Sequence, residues 1–239
     1  MGGVLEHEGW LLTPEGAAIR PEEATAVVAD VHLGYEWARG AAGDCVPAHS
    51  LAETRDRLTR AFARAEVRRL VVAGDLVESP RPCARTAADV ARLGDWLASR
   101  GVELLVVPGN HDRSLSASPR PPAIAATVDV GGWTIQHGDR PTVGARAVIG
   151  HHHPVLRASG LASPCFLAGP TLLVLPAFSG NAAGLDVASV TSPAAWSGAG
   201  LRCLAATSDA LLDFGPAATL AARLRAAARP RIDRARRGH

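Results

Sequence analysis

With 239 residues, 47% of them hydrophobic and 20% charged, the chain is long enough to bury one sizeable core and has the composition of a soluble globular protein, which sets disordered and fibrous classes aside. A formal net charge of +2 is close to neutral, so bulk charge does not mark a nucleic-acid binder, and no apolar run reaches the ~18–20 residues that a membrane span needs. Four scattered cysteines, Cys45, Cys83, Cys165 and Cys203, form neither a disulfide framework nor a C-x-x-C pair, and the first residues lack the basic and apolar regions of a secretory signal, so a cytoplasmic protein with reduced thiols is expected.

From the N-terminus, residues 4–14 contain Trp10-Leu11-Leu12, a first strand or hairpin arm. Residues 24–29 (A-T-A-V-V-A) predict a second strand that runs into Asp30, Val31 and His32. Ser50 and Glu53 have capping-box spacing, and Leu51, Leu58, Phe62 and Ala65 form a helical stripe. A helix is therefore expected over 51–65, with Arg55, Arg57, Arg60 and Arg64 on its wet face. Residues 69–73 predict the next strand, closing on Gly74-Asp75. Val90, Leu93, Trp96 and Leu97, with Gly101 as a stop, predict a helix over 86–100. The run Leu104-Leu105-Val106-Val107 predicts a buried strand, ended by Pro108-Gly109 and followed by Asn110, His111 and Asp112. Alternation of strand and helix up to this point argues for parallel pairing under helical cover.

Beyond a loop at 114–122 the texture changes to short strands. They are expected at 127–130 and 133–136, flanking Gly131-Gly132, and at 145–149, 165–167, 172–175, 201–205 and 211–214. The Ala/Arg-rich stretch from Pro216 predicts helix up to Pro230. No linker splits the chain, so 1–215 is read as one domain and 216–239 as a C-terminal helix or tail. The seven arginines from Arg223 to Arg237 are either solvated or contacts to phosphates.

Five strands end in residues able to ligate a metal: Asp30 with His32, Asp75, Asn110 with His111, His137, and His151 with His153. Imidazole and carboxylate suit Zn, Mn or Fe. The set is too large for one tetrahedral ion and suits two ions that share a carboxylate. In D-x-H and H-x-H, residues i and i+2 of an extended tip point the same way, which turns His152 to the opposite side. A lone histidine at any one of these places would be an ordinary polar residue, but six of the nine histidines stand at or beside strand ends. Arg113 follows this tip directly. A guanidinium suits phosphate oxygens, so Arg113 is a candidate substrate contact and Arg120, farther along, a lesser one; the alternative is a solvated connector.

The blocks Asp30/His32, Gly74-Asp75, Gly109-Asn110-His111-Asp112, His137 and Gly150-His151-His152-His153, in this order, resemble the signature of the calcineurin-like metallophosphoesterases. The stretches A-D-V-H-L-G-Y-E and P-C-F-L-A-G-P-T-L-L-V-L-P-A-F look like the branch that includes the DNA-ligase-associated phosphoesterase. The resemblance implies an α/β fold, a sandwich of two packed mixed β-sheets flanked by helices. It implies two divalent ions, Mn²⁺ foremost with Fe or Zn as alternatives. Asp30, His32 and His153 would hold the first ion, Asp75 would bridge, and Asn110, His137 and His151 would hold the second. His111 would stabilise the scissile phosphate or protonate the leaving oxygen, Asp112 would orient His111 or a ligand histidine, and Asn110 and Arg113 would touch substrate.

The reaction so implied is phosphodiester hydrolysis by a metal-bound hydroxide, with nucleic-acid ends among the candidate substrates. Two departures are visible. Glu78 stands where nuclease-like relatives often carry histidine, and His137-Gly138-Asp139 stands where H-G-H is common. Both add negative charge near the phosphate path. A phosphomonoesterase or nucleotide hydrolase for small molecules is therefore a second reading, and a non-catalytic metal-binding scaffold a third. No membrane partner is expected, and the oligomeric state is left open.

Overall fold

The chain opens with a hairpin of Leu5–His7 (β1) and Trp10–Leu12 (β2), which Ala18–Arg20 (β3) and Thr25–Val28 (β4) continue antiparallel. From β4 the sheet becomes parallel through Arg69–Ala73 (β5), Glu103–Val107 (β6) and Ala123–Ile124 (β7). Parallel neighbours need crossovers. Helices Tyr35–Ala41 (α1) and Ser50–Phe62 (α2) connect β4 to β5, and Ala84–Ala98 (α3) connects β5 to β6. This computed structural model describes residues 3–158, 160–189, 193 and 200–228.

A second, mixed sheet takes the rest of the chain. Val128–Val130 (β8), Trp133–Gln136 (β9), Ala147–Ile149 (β10), Pro154–Ala158 (β11), Leu161–Ala168 (β12), Leu172–Val174 (β13) and Leu185–Asp186 (β14) lie in the order β14-β11-β12-β13-β10-β9-β8. Arg202–Ala206 (β15) pairs with β12, and Leu211–Pro216 (β16) pairs with β15. Ala217–Ala228 (α4) closes the described chain.

Alternation along the strands builds three cores. On β4 and β5, Ala26, Val28, Leu70 and Val72 face Leu58 of α2 and Val90, Leu93 and Leu97 of α3. Their neighbours Val27, Val71 and Ala73 face the other way, onto Trp133, Ile135, Val148 and Phe166 of the second sheet. The back of the second sheet buries Val174, Leu167 and Cys203 with Leu220 of α4. Helix, sheet, sheet and helix thus stack as four layers, the two-sheet sandwich expected from the sequence. Among the described residues no helix is long and apolar enough to cross a membrane.

Three local expectations need correction. Ser50 does not cap α2: His49 occupies the N-cap without a side-chain bond, while the Ser50 hydroxyl donates to Glu36 Oε1 at 3.0 Å and accepts from the Gly34 amide at 3.3 Å. Arg57 is not on a wet face. It donates to the carbonyls of Glu15 and Phe178 and its guanidinium lies 4.6 Å from the centre of the Phe178 ring. The loop at 114–122 begins inside a 3-10 turn, Asp112–Ala117, whose Leu115 is buried in the helical core.

Candidate metal centre

The strand tips that carry the candidate ligands meet at the edge where the two sheets face each other. Backbone bonds lace them together: the Asp30 amide donates to the Gly74 carbonyl at 3.0 Å, His32 to Asp75 at 3.0 Å, and Gly150 to His137 at 2.8 Å. Beyond β4, β5 and β10 the chain leaves extended geometry abruptly. Asp30, His32, Asp75, His151 and His153 all have φ between 44° and 66°, in the left-handed region. Among the described residues only Glu8 and Ala24 share this state without being glycine. Each such residue costs on the order of 1–3 kcal/mol, so strain is concentrated where the candidate ligands are.

Two glycines make the crowding possible. A Cβ on Gly74, whose φ is +86°, would run into the His137 ring, and a Cβ on Gly150 would come within 2.6 Å of Asp30 Oδ2. The Gly-Asp and Gly-His blocks of the sequence therefore have a steric reason.

Three overlapping groups form around Asp30 and Asp75, one of them His32, Asp75 and His111. Asp30, His32 and His153 offer ligand atoms that all lie within 4.8 Å of one another, and so do Asp75, His137 and His151. Asn110 Oδ1 joins the second group at 3.1 Å from His137 Nε2, which also faces His151 Nδ1 at 3.0 Å. Asp75 sits between the groups. Its Oδ1 accepts the His111 amide at 2.9 Å and its Oδ2 lies 3.6 Å from His137 Nε2.

The donor set fits divalent ions. Asp30 Oδ1, His32 Nε2 and His153 Nε2 are buried without a hydrogen-bond partner, a costly state that a cation would relieve. Carboxylate oxygens and imidazole nitrogens are ligands that Mn, Fe and Zn accept. Three imidazoles are held by backbone carbonyls through Nδ1: His111 by Glu78 at 2.5 Å, His137 by Ala73 at 3.4 Å and His153 by Ala183 at 3.2 Å. With Nδ1 as donor, Nε2 of His137 and His153 is left as the bare lone pair that an ion needs, while on His111 Nε2 stays available to the substrate. His32 instead places Nδ1 3.1 Å from Glu78 Oε2, close enough to pair although off the angle of a full hydrogen bond, and His151 turns Nδ1 to His137.

Charge is uneven across the centre. Burial and the neighbouring His137 push His151 below the ordinary imidazole value. Burial also acts to lower His153, but the Asp30 carboxylate, 3.4 Å from its Nε2, outweighs it and holds His153 above that value. His152 packs edge-on against the His151 ring, with centroids 5.2 Å apart, and belongs to neither ligand group.

Other expected site residues fall differently. Asp112 does not reach His111. Its carboxylate accepts the amides of Val77 at 3.1 Å and Gly109 at 2.9 Å, and burial pushes it above the usual carboxylate range against the pull of those amides. It braces the loop that presents Asn110 and His111, while the Glu78 carbonyl orients the His111 ring. Arg113 is exposed and makes no ion pair among the described residues, whereas Arg120 is paired with Asp95 at 2.9 Å. The added charge of Asp139 is met by Arg140, 3.9 Å away. Sequence reasoning flagged Glu78 only as an odd charge. Its contact with His32 follows from the turn that pairs Leu33 with Val77, which no local pattern announces.

The family model for calcineurin-like phosphoesterases matches residues 24–165, well over half of the chain and all seven candidate ligands. Among solved structures, the crystal structure of Pseudomonas putida nuclease MPE is similar, with a TM-score of 0.66 and 25% identity, covering 87% of this chain and 98% of that one. No curated protein matches the chain. The matched span, the two-sheet sandwich and the carboxylate–imidazole clusters agree: this chain is a metal-dependent phosphoesterase and belongs to the calcineurin-like phosphoesterase family.

Proposed function

We propose that the protein hydrolyses phosphodiesters at a centre of two divalent ions, manganese being the first choice. Asp30, His32 and His153 hold one ion, Asn110, His137 and His151 the other, and Asp75 is shared. The observation that carries this reading is the pair of ligand groups, with three buried donor atoms left without partners. Ions bound there would supply an acidified water and positive charge beside phosphorus. The chain's residues do the rest. Asp75 is steered by the His111 amide, so its free oxygen faces the second group. His111, held through Nδ1 by the Glu78 carbonyl, keeps Nε2 for the substrate. In the reaction the oxygen of a water that has given up a proton to solvent would join phosphorus, the bond from phosphorus to the leaving oxygen would break, and a proton carried on His111 Nε2 would pass to that oxygen.

His32, Asp75 and His111 also lie within 4.8 Å of one another, so His111 as a ligand is the alternative to its role as acid. Preference for a diester draws on the likeness to a protein that is itself a nuclease. The small-molecule monoesterase or nucleotide hydrolase is the second reading, favoured by the Glu78 carboxylate beside His32, whose charge repels the many phosphates of a nucleic acid more than the single phosphate of a small molecule.

The test is hydrolysis of bis-p-nitrophenyl phosphate against p-nitrophenyl phosphate by the manganese-loaded protein and two variants. Expected are faster turnover of the diester, a loss of roughly 10²-fold or more in His111→Ala with metal content intact, and loss of metal and activity together in His151→Ala. Faster turnover of the monoester would favour the second reading, and equal metal loss in both variants would make His111 a ligand.

A further inference from the structure

We propose that the groove beside Asn110 and His137 is the subsite for the retained arm of the diester, and that this arm is a nucleoside. The proposal rests on the phosphodiesterase reading above and names its substrate class. The groove encloses about 610 Å³, within the range of roughly 300–1,000 Å³ usual for small-molecule sites, and two candidate ligands, Asn110 and His137, are part of its wall. A molecule lying in it therefore reaches the second group of ligands directly. His111 is not part of that wall. Since His111 serves the leaving oxygen, the arm that lies in the groove is the one that stays on phosphorus.

Its lining tells what that arm is. Ile124 and Val143 are 42% and 55% exposed, two of the four large hydrophobic residues left in solvent among the described residues, and both lie on this groove. Apolar surface kept exposed beside a reactive centre points to an occupant with apolar faces of its own. Two guanidiniums, Arg113 and Arg140, line the same groove. Arg113 has no carboxylate partner among the described residues, and Arg140, at 89% side-chain exposure, has only the loose contact to Asp139. The occupant must then be amphipathic, with flat apolar faces and anionic oxygens, and a nucleoside carried on phosphate has both. A bare sugar phosphate would leave Ile124 and Val143 uncovered, and an acyl chain would leave the guanidiniums without a partner.

The wall is also held in place. The Gln136 side chain donates to the Val143 carbonyl at 3.0 Å and accepts the Val143 amide at 3.2 Å, which ties the loop after β9 to the sheet. Both bonds use the Val143 backbone, so a side-chain change at this exposed position leaves them intact.

The experiment compares two esters with the same leaving group, thymidine 5′-(p-nitrophenyl phosphate) and methyl p-nitrophenyl phosphate, on the manganese-loaded full chain. Alongside, calorimetry measures the binding of thymidine 5′-monophosphate and methyl phosphate. We expect the nucleoside ester to be preferred by roughly tenfold or more in kcat/KM, and the nucleotide to bind tighter by a similar factor, the scale on which a pocket discriminates. Val143→Asp and Arg140→Glu should each bring both ratios close to one. A wild-type ratio near one, or ratios that survive both substitutions, would overturn the subsite. Failure to hydrolyse either ester defeats the phosphodiesterase reading instead, and the binding ratio and its loss in the variants then decide the subsite alone.

Discussion

A carbonyl can only accept, so His111, His137 and His153, each held by one through Nδ1, are oriented by the backbone itself. His32 is held differently, by a carboxylate that can be deleted without touching the backbone. Partners of this kind are commonly worth 10–100-fold in metal affinity. Glu78→Ala is therefore expected to weaken manganese binding by roughly that factor in calorimetric titration, and Glu78→Gln, which keeps an acceptor oxygen, to restore most of it. A purely structural role for Glu78 would not distinguish the two variants. At this scale the candidate ligands that the structure brings together were readable in the sequence because each follows a short apolar run and most sit beside a glycine. Asp112 was misread for a physical reason: its neighbour in sequence, His111, points elsewhere, and its true partners are amides of Val77 and Gly109, one of them 35 residues away.

Among the elements, the join between α1 and α2 depends on one hydroxyl. Ser50 and Glu36 are both buried, at 5% and 4% exposure, and the Ser50 hydroxyl donates to the Glu36 carboxylate. Removing one partner of a buried bond costs about 1–3 kcal/mol, so Ser50→Ala should lower stability by that amount in urea unfolding of the full chain. A capping role would have cost less and would have involved Glu53, which instead approaches His49 only at 3.9 Å. Spacing alone cannot tell the two apart, because S-x-x-E records where the residues stand in sequence and not which way the chain enters the helix. The long helices α2 and α3 and the strands β4, β5 and β6 were legible, since four or more residues carry a period. Strands β3, β7, β11 and β14 were not. Two to five residues long, they are defined by what they pair with, as Ile19 does with Leu11 on one side and Ala26 on the other. Helix α1 was hidden too, because its one fully buried side chain is the charged Glu36.

At the scale of the whole molecule, the candidate ligand set is divided between the sheets. Asp30, His32, Asp75 and Asn110 follow strands of the first, and His137, His151 and His153 follow strands of the second. A divalent ion that binds only this arrangement stabilises it by about 2.7 kcal/mol at a hundred times Kd. For a chain of this size that corresponds to a rise in Tm of roughly 5–10 °C, which calorimetric scans with manganese should record and EDTA should reverse. An unchanged Tm at saturating manganese would argue against the centre. The two-layer arrangement was legible through the change from helix-alternating to short-strand texture, but the order of the second sheet was not. β10 has β9 and β13 as neighbours, and β12 pairs with β15 across some forty residues, pairings set by packing alone. The division of ligands also imposes an order in time. Neither sheet owns a complete set for two ions, so the centre does not exist while the sheets fold separately. It comes into being at the moment Val71 and Val148 close over the same apolar layer. For the proposed centre, metal capture would then be a late event of folding, and a chain caught before docking would lack the site however much of its secondary structure has formed.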